Sequence, residues 1–284
     1  MKPFKYLVLL FLKALLLSPY ALRAQDPKLP AVNLGLVNMQ DGNPPGPGIY
    51  FQQAIQSYSS QDQFDSNGNA VSGSGGINSL VALSQIIHLT QLKILNGNFG
   101  YTVIMPLVKI NGTADNVDLA FNPNPVGDIT AGPMIQWSDR HLAGMKLSHR
   151  LEADMTLPTG SYSPAYQINP SSHFYTFSLH HAFTLFPAHR FSISMRNHIH
   201  YNSSEIGTAV RAGMFYHNNY SFEYAVSRSF RVEVAGYYLK QLEQDTFKGD
   251  HNYYKGNYGI SDTREQIFAI GAGLGYVTPN GNIP

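Results

Sequence analysis

Residues 145–157 read Met145-Lys146-Leu147-Ser148-His149-Arg150-Leu151-Glu152-Ala153-Asp154-Met155-Thr156-Leu157, and their alternation decides the fold. Met145, Leu147, His149, Leu151, Ala153, Met155 and Leu157 fall on one face. Lys146, Ser148, Arg150, Glu152, Asp154 and Thr156 fall on the other. A strand has period two, whereas a helix of period 3.6 would scatter both sets around its circumference. Strands of soluble sandwiches usually run about six residues. The 13 residues here suit a tilted membrane-crossing strand, of which about 9–11 lie in lipid.

The same pattern recurs more weakly at 128–137, 174–185 and 191–201, and further candidates are 49–58, 79–90, 99–110, 220–228, 231–242 and 266–277, ten strands in all. The connectors provide an independent signal. Those at 59–78, 111–127, 158–173, 202–219 and 243–265 are long, while 91–98, 138–144, 186–190 and 229–230 are short, and the two classes alternate. Short periplasmic turns and longer external loops are the mark of an up-and-down barrel. The fold class expected is therefore all-β, a transmembrane antiparallel barrel. Turn chemistry sits in the long connectors, as in Ser66-Asn67-Gly68-Asn69 and Asn122-Pro123-Asn124-Pro125.

Composition agrees. Of 284 residues only 13% are charged, about half the share usual in a soluble domain, and aromatic, Gly, Ser and Asn residues fill the gap. The absence of Cys excludes a disulfide framework and a cysteine-ligated metal site. Nineteen basic against 18 acidic residues offer no electrostatic reason to expect nucleic acid. Lys2 and Lys5 precede an apolar run from Tyr6 to Leu17, then Ser18-Pro19 and small residues leading to Ala24, which reads as a signal peptide over 1–24. No later run is long enough for a spanning helix. Export then leaves either a soluble domain or an outer-membrane barrel, and the strand periodicity favours the barrel over 48–284. Residues 25–47, rich in proline, form an N-terminal periplasmic segment whose structure the sequence leaves open.

Pro45-Gly46-Pro47-Gly48-Ile49-Tyr50-Phe51 followed by Phe64-Asp65-Ser66-Asn67-Gly68-Asn69 resembles the MetA-pathway of phenol degradation family of outer-membrane transporter-like barrels. Gly127-Asp128, Leu157-Pro158-Thr159-Gly160-Ser161-Tyr162, Gly236-Tyr237-Tyr238 with Gln241 and Asp245, and Ala269-Ile270-Gly271 look like the same family. The resemblance implies a channel or transporter-like protein of the Gram-negative outer membrane that takes up or handles small hydrophobic or aromatic compounds. Its implied partners are outer-membrane lipid, that solute and the barrel-assembly machinery. Such barrels end with two more strands and a terminal aromatic residue, so the tail Thr278 to Pro284 reads as a turn after strand ten of about twelve, and truncation is expected.

The inward face of the barrel carries the candidate lumen-lining or solute-contacting residues: Lys146, Arg150, Glu152 and Asp154, joined by Arg196, Glu223, Arg231, Glu233, Tyr237 and Gln241. They select solute charge or, in the alternative, plug a narrow lumen with ion pairs, leaving a structural or adhesive barrel whose long loops work outside. Tyr237 is the candidate for stacking on an aromatic solute. His180, His198 and His200 share a face, but no carboxylate partner or helical spacing supports a metal, and none is assigned. Gly271, Gly273 and Gly275 lack the spacing of a dinucleotide fingerprint, so no cofactor is assigned and room for a bulky neighbour explains them better. Ser148 and His149 are adjacent on a strand and point apart. With no nucleophile beside a base, no enzyme is expected.

Overall fold

A computed structural model describes residues 32, 34, 35, 39–60, 76–113 and 120–278. The signal-peptide reading of 1–24, most of the connector 59–78 and all but Thr278 of the tail lie outside these residues. Ten long strands form one antiparallel sheet: β1 (Gly48–Ser60), β2 (Gly76–Ile94), β3 (Gly97–Thr113), β4 (Ile129–Leu142), β5 (Met145–Leu157), β6 (Thr176–Ala188), β7 (Phe191–Asn202), β9 (Phe215–Ala225), β10 (Phe230–Gln241) and β12 (Gln266–Tyr276). Each pairs with the next in sequence, and the sheet curls into a half-barrel with β1 and β12 at its two edges. Two short strands, β8 (Val210–Arg211) and β11 (Thr246–Phe247), pair with each other in the long connectors, and a helix, α1 (Tyr253–Tyr258), follows β11.

Burial is inverted relative to a soluble sheet. In β7 Ser192, Ser194, Arg196, His198, His200 and Asn202 are buried on the concave side, while Ile199 and Tyr201 are exposed on the convex side. In β5 Ser148, Arg150, Glu152 and Asp154 are buried and Leu151 and Met155 exposed. A wall polar inside and apolar outside is what a barrel presents to lipid. Hydroxyl and amide groups of the polar side pair across strands: Thr130 and Thr156 hydroxyls meet at 2.7 Å, Thr184 and Ser194 at 3.0 Å, and Thr176 donates to Asn202 at 2.9 Å. The interior is thus held by cross-strand polar pairs where a soluble fold would use aliphatic packing.

Ends of the sheet differ as the connector lengths require. Leu95-Asn96 closes β2–β3 and Ala143-Gly144 closes β4–β5, both with φ > 0 at the two central residues (50° and 60°, 50° and 80°). That is the type I′ hairpin, whose twist matches the strands. Leu is a poor choice in left-handed backbone, which costs a side chain with a Cβ about 1–2 kcal/mol. Leu95→Asn is accordingly expected to raise stability by about 1 kcal/mol, read as a higher urea midpoint with an unchanged slope.

One strand lies elsewhere than its sequence pattern suggests. The expected 220–228 begins at Phe215 and ends at Ala225. Asn218-Asn219 reads as loop chemistry, yet Asn219 faces the lumen and Asn218 on the other face donates to the Asn197 side chain at 3.0 Å and the Arg196 carbonyl at 3.3 Å. A polar pair across the outer face erased the alternation there.

Candidate functional site in the barrel lumen

The register stacks the inward residues in layers. Nearest the short turns, Glu223 and Glu233 lie opposite each other on β9 and β10. Arg231 pairs with Glu223, and Ser221 donates to Glu233 at 2.5 Å. Next comes the N-terminal segment. Residues 39–43 lie inside the curl of the sheet, against β4, β5, β6, β7 and β9. Asp41 is chelated through both carboxylate oxygens by Arg196, lies 3.7 Å from an Arg150 nitrogen, and is 6% exposed. The Gly42 amide donates to Thr184 Oγ1 at 3.0 Å and the Gly42 carbonyl accepts from Gln136 at 3.0 Å. Ser148 donates to Asn43 at 2.8 Å, Gln40 donates to Glu223 at 3.0 Å, and the Gly35 amide donates to Asn219 at 3.0 Å. A Cβ on Gly42 would stand 2.5 Å from the backbone of Phe183 and Thr184, so only glycine lets the segment lie flat on β6.

Beyond the segment, toward the long connectors, are two titratable clusters side by side. Glu152 holds Arg150 at 2.9 Å and His180 Nε2 at 3.1 Å, and Asp154 lies 3.3 Å from His180 Nδ1. His180 packs 4.4 Å from His198, which leads to His217 and His200. A cavity of about 280 Å³ opens over both clusters. Its wall from β5 to β9 is charged and polar. Its opposite wall, from β2 and β3, is mostly aliphatic, with Val81, Leu83, Ile104, Pro106, Val108 and Ile110 beside Ser79 and Gln85.

Nine of the ten candidate residues lie within the curl: Arg150, Glu152, Asp154, Arg196, Glu223 and Gln241 are buried, and Arg231, Glu233 and Tyr237 are half-buried. Lys146 shares their face but stands at the rim, exposed, 2.7 Å from Asp139 in the short-turn region. Tyr237 rests against Gly35 and is not in the cavity wall. Gly273 makes room for Glu233, and Gly275 for Met39 of the N-terminal segment. His149 and His181 meet at 3.3 Å on the outer face, with His149 stacked on Trp137, and His173 stacks on Tyr162 in a connector.

Two expectations need correction. His180 does have carboxylate partners, Glu152 and Asp154, because the register sets β5 directly beside β6. A serine beside an imidazole also exists, Ser178 Oγ lying 2.6 Å from His200 Nδ1, but the other His200 nitrogen meets His217 at 2.9 Å and not an orienting acid. Sequence reasoning missed Asp41 and His217, the former in a stretch without periodicity and the latter in a strand mistaken for a loop.

Two of the stretches that carry the family resemblance, 127–128 and 157–162, meet in space. Asp128 accepts the amides of Gly160 at 2.9 Å and Ser172 at 2.8 Å, and Gly160 packs on the Gly127 backbone. Gln241 donates to Asp245 at 2.5 Å, and Asp245 accepts the Gly213 amide at 2.9 Å. Burial pushes the Asp245 carboxyl upward against those hydrogen bonds, and Glu265 is raised by burial and then by the charge of Asp245. Asp128→Ala removes the acceptor of two amides, a charge-assisted pair of bonds worth about 1.5–3 kcal/mol each. Limited proteolysis is expected to cut between 158 and 175 in this variant well before it cuts the parent.

The sequence profile of the family described as "Putative MetA-pathway of phenol degradation" matches residues 60–283. No curated protein matches the chain. Among solved structures, the crystal structure of an outer membrane channel from Pseudomonas putida F1 superposes with a TM-score of 0.62 at 16% identity, covering 75% of this chain and 79% of that one.

Proposed function

From the premise that the chain belongs to the MetA-pathway of phenol degradation family, we propose that it is a channel of the Gram-negative outer membrane for small aromatic compounds that carry a polar group. The observation that carries this reading is the two-sided cavity: an aliphatic wall from β2 and β3 facing a hydrogen-bonding wall from β5 to β9. A ring with a hydroxyl or carboxyl substituent satisfies both walls at once, whereas an alkane leaves the polar wall unpaired and a sugar leaves the apolar wall wet. In this reading the convex face contacts lipid, the short turns face the periplasm, the long connectors face outward, and no catalytic step is required of the chain.

Proteoliposomes bearing the full chain should pass 4-hydroxybenzoate faster than glucose, and Leu83→Asp with Ile104→Asp should abolish the preference. Equal rates for the two solutes, or a preference untouched by the double substitution, would sink the assignment. A second reading, a sealed barrel whose connectors act outside, has one observation in its favour, the N-terminal segment inside the curl. Single-channel recording separates the two, because a sealed barrel gives no conductance steps.

A further inference from the structure

We propose that His198, His200 and His217 form a binding site for one divalent transition-metal ion of the zinc and copper class, set in the barrel wall at the edge of the cavity. The proposal goes beyond the solute reading and does not depend on it, since the three side chains would hold an ion whether or not the barrel conducts.

Three observations carry it. Donor atoms of the three imidazoles all lie within 4.8 Å of one another, and the rings pack with centroids 4.1 to 5.4 Å apart. All three residues are more than nine-tenths buried, at 7%, 5% and 1% exposed. Both His198 nitrogens and His217 Nε2 are buried with no hydrogen-bond partner among the described residues. A buried polar atom is normally paired, and a cluster with three such atoms on two adjoining imidazoles calls for a ligand that accepts several lone pairs at one point. A metal ion is such a ligand.

The donor set selects the ion. Three neutral nitrogens with no carboxylate among them suit zinc and copper and disfavour calcium and magnesium, which require oxygen. Zinc–nitrogen bonds are about 2.0–2.1 Å, which sets neighbouring donors about 3.3 Å apart in a tetrahedral site. The 2.9 Å contact between His200 Nε2 and His217 Nδ1 needs only a small opening, and the widest separation a small closure, both within reach of ring rotation. Ser178 holds His200 Nδ1 at 2.6 Å and so directs the opposite nitrogen, Nε2, into the cluster, the kind of outer support that ligating histidines usually have. The cavity touches all three residues and supplies both an entry path and a fourth coordination position.

The test uses the full chain, without a histidine tag, in detergent. Chelator-treated protein is titrated with Zn²⁺ alone and with Cu²⁺ alone. Expected are one equivalent of either ion bound, a raised melting temperature, and a Cu²⁺ spin-resonance spectrum with nitrogen couplings from imidazoles. His198→Asn and His217→Asn should each lose stoichiometric binding, Ser178→Ala should weaken it about tenfold, and His149→Asn with His181→Asn, on the outer face, should leave it intact. Heat-modifiable mobility on gels identifies which variants are folded, and the spectrum of the unsubstituted protein decides the matter even if a variant is not. No stoichiometric binding by folded parent protein, an oxygen-only spectrum, or binding that survives loss of both His198 and His217 would overturn the proposal.

Discussion

Asp41→Asn is expected to open the lumen wider and for longer than in the parent chain. Among the described residues of the N-terminal segment Asp41 is the only acidic or basic one, and it is clasped by Arg196 with Arg150 nearby. Removing one partner of a buried charge pair typically costs about 3–5 kcal/mol, because the other charge is left uncompensated. The remaining contacts of the segment are mostly neutral hydrogen bonds worth about 0.5–1.5 kcal/mol each. Since about 1.4 kcal/mol is a factor of ten, the docked fraction should fall by roughly two to three orders of magnitude. Arg150 keeps Glu152 as a partner, so the wall itself should survive. The chain has no cysteine, which makes Ala182→Cys a clean reporter: Ala182 is fully buried, opposite Arg150 and Arg196 on the neighbouring strands. In the Asp41→Asn background that cysteine should react with a small charged thiol reagent at least about a hundredfold faster, the kinetic counterpart of a shift in docked population of about 3 kcal/mol. Planar bilayers should show longer and larger open events. Unchanged labelling and conductance would mean that the segment does not govern access to the lumen.

The second large effect concerns the outside. Leu151 is at the middle of β5, 41% exposed, between Ile135 and His181 on the convex face. In water an exposed Leu→Arg change usually moves stability by less than about 0.5 kcal/mol. At the midplane of a bilayer the same change on a barrel costs about 2–4 kcal/mol. Leu151→Arg should therefore lower the unfolding free energy in phospholipid vesicles by that amount, while Ala165→Arg, in an exposed connector, should be neutral. Equal, small effects at both positions would remove the convex face from the membrane and with it the proposed location.

How much of this was legible in the sequence depends on contrast between the two faces of each strand. β5, β6 and β7 alternate charged or hydroxyl residues with aliphatic and aromatic ones, and their limits could be read within three residues. β9 could not, because Asn218 breaks the outer face. That error carried His217 out of the strands and left the histidine cluster one member short, and pairing between strands, which brings Glu152 and Asp154 to His180, is invisible without register. The N-terminal segment was unreadable for another reason. Asp41-Gly42 looks like any turn, and nothing local announces that its partners are Arg150, Arg196, Thr184 and Gln136. Of the ten candidate lumen residues, Lys146 is the exception: alternation assigns a face but not a depth, and the end residues of a strand emerge from the lumen.

The docked segment also fixes an order of events in time. Its hydrogen bonds to β4, β5, β6, β7 and β9 join residues separated by 94 positions, from Gly42 to Gln136, up to 184, from Gly35 to Asn219. Contacts so distant in sequence close late, after the chain between them has been organised. The seat for Gly35 and residues 39–43 exists only once β4 to β9 stand side by side, so a stretch that leaves the ribosome early must be the last to settle. A barrel can thus complete its strand pairing and still be immature inside, and the step that ends its maturation is the arrival of its own beginning.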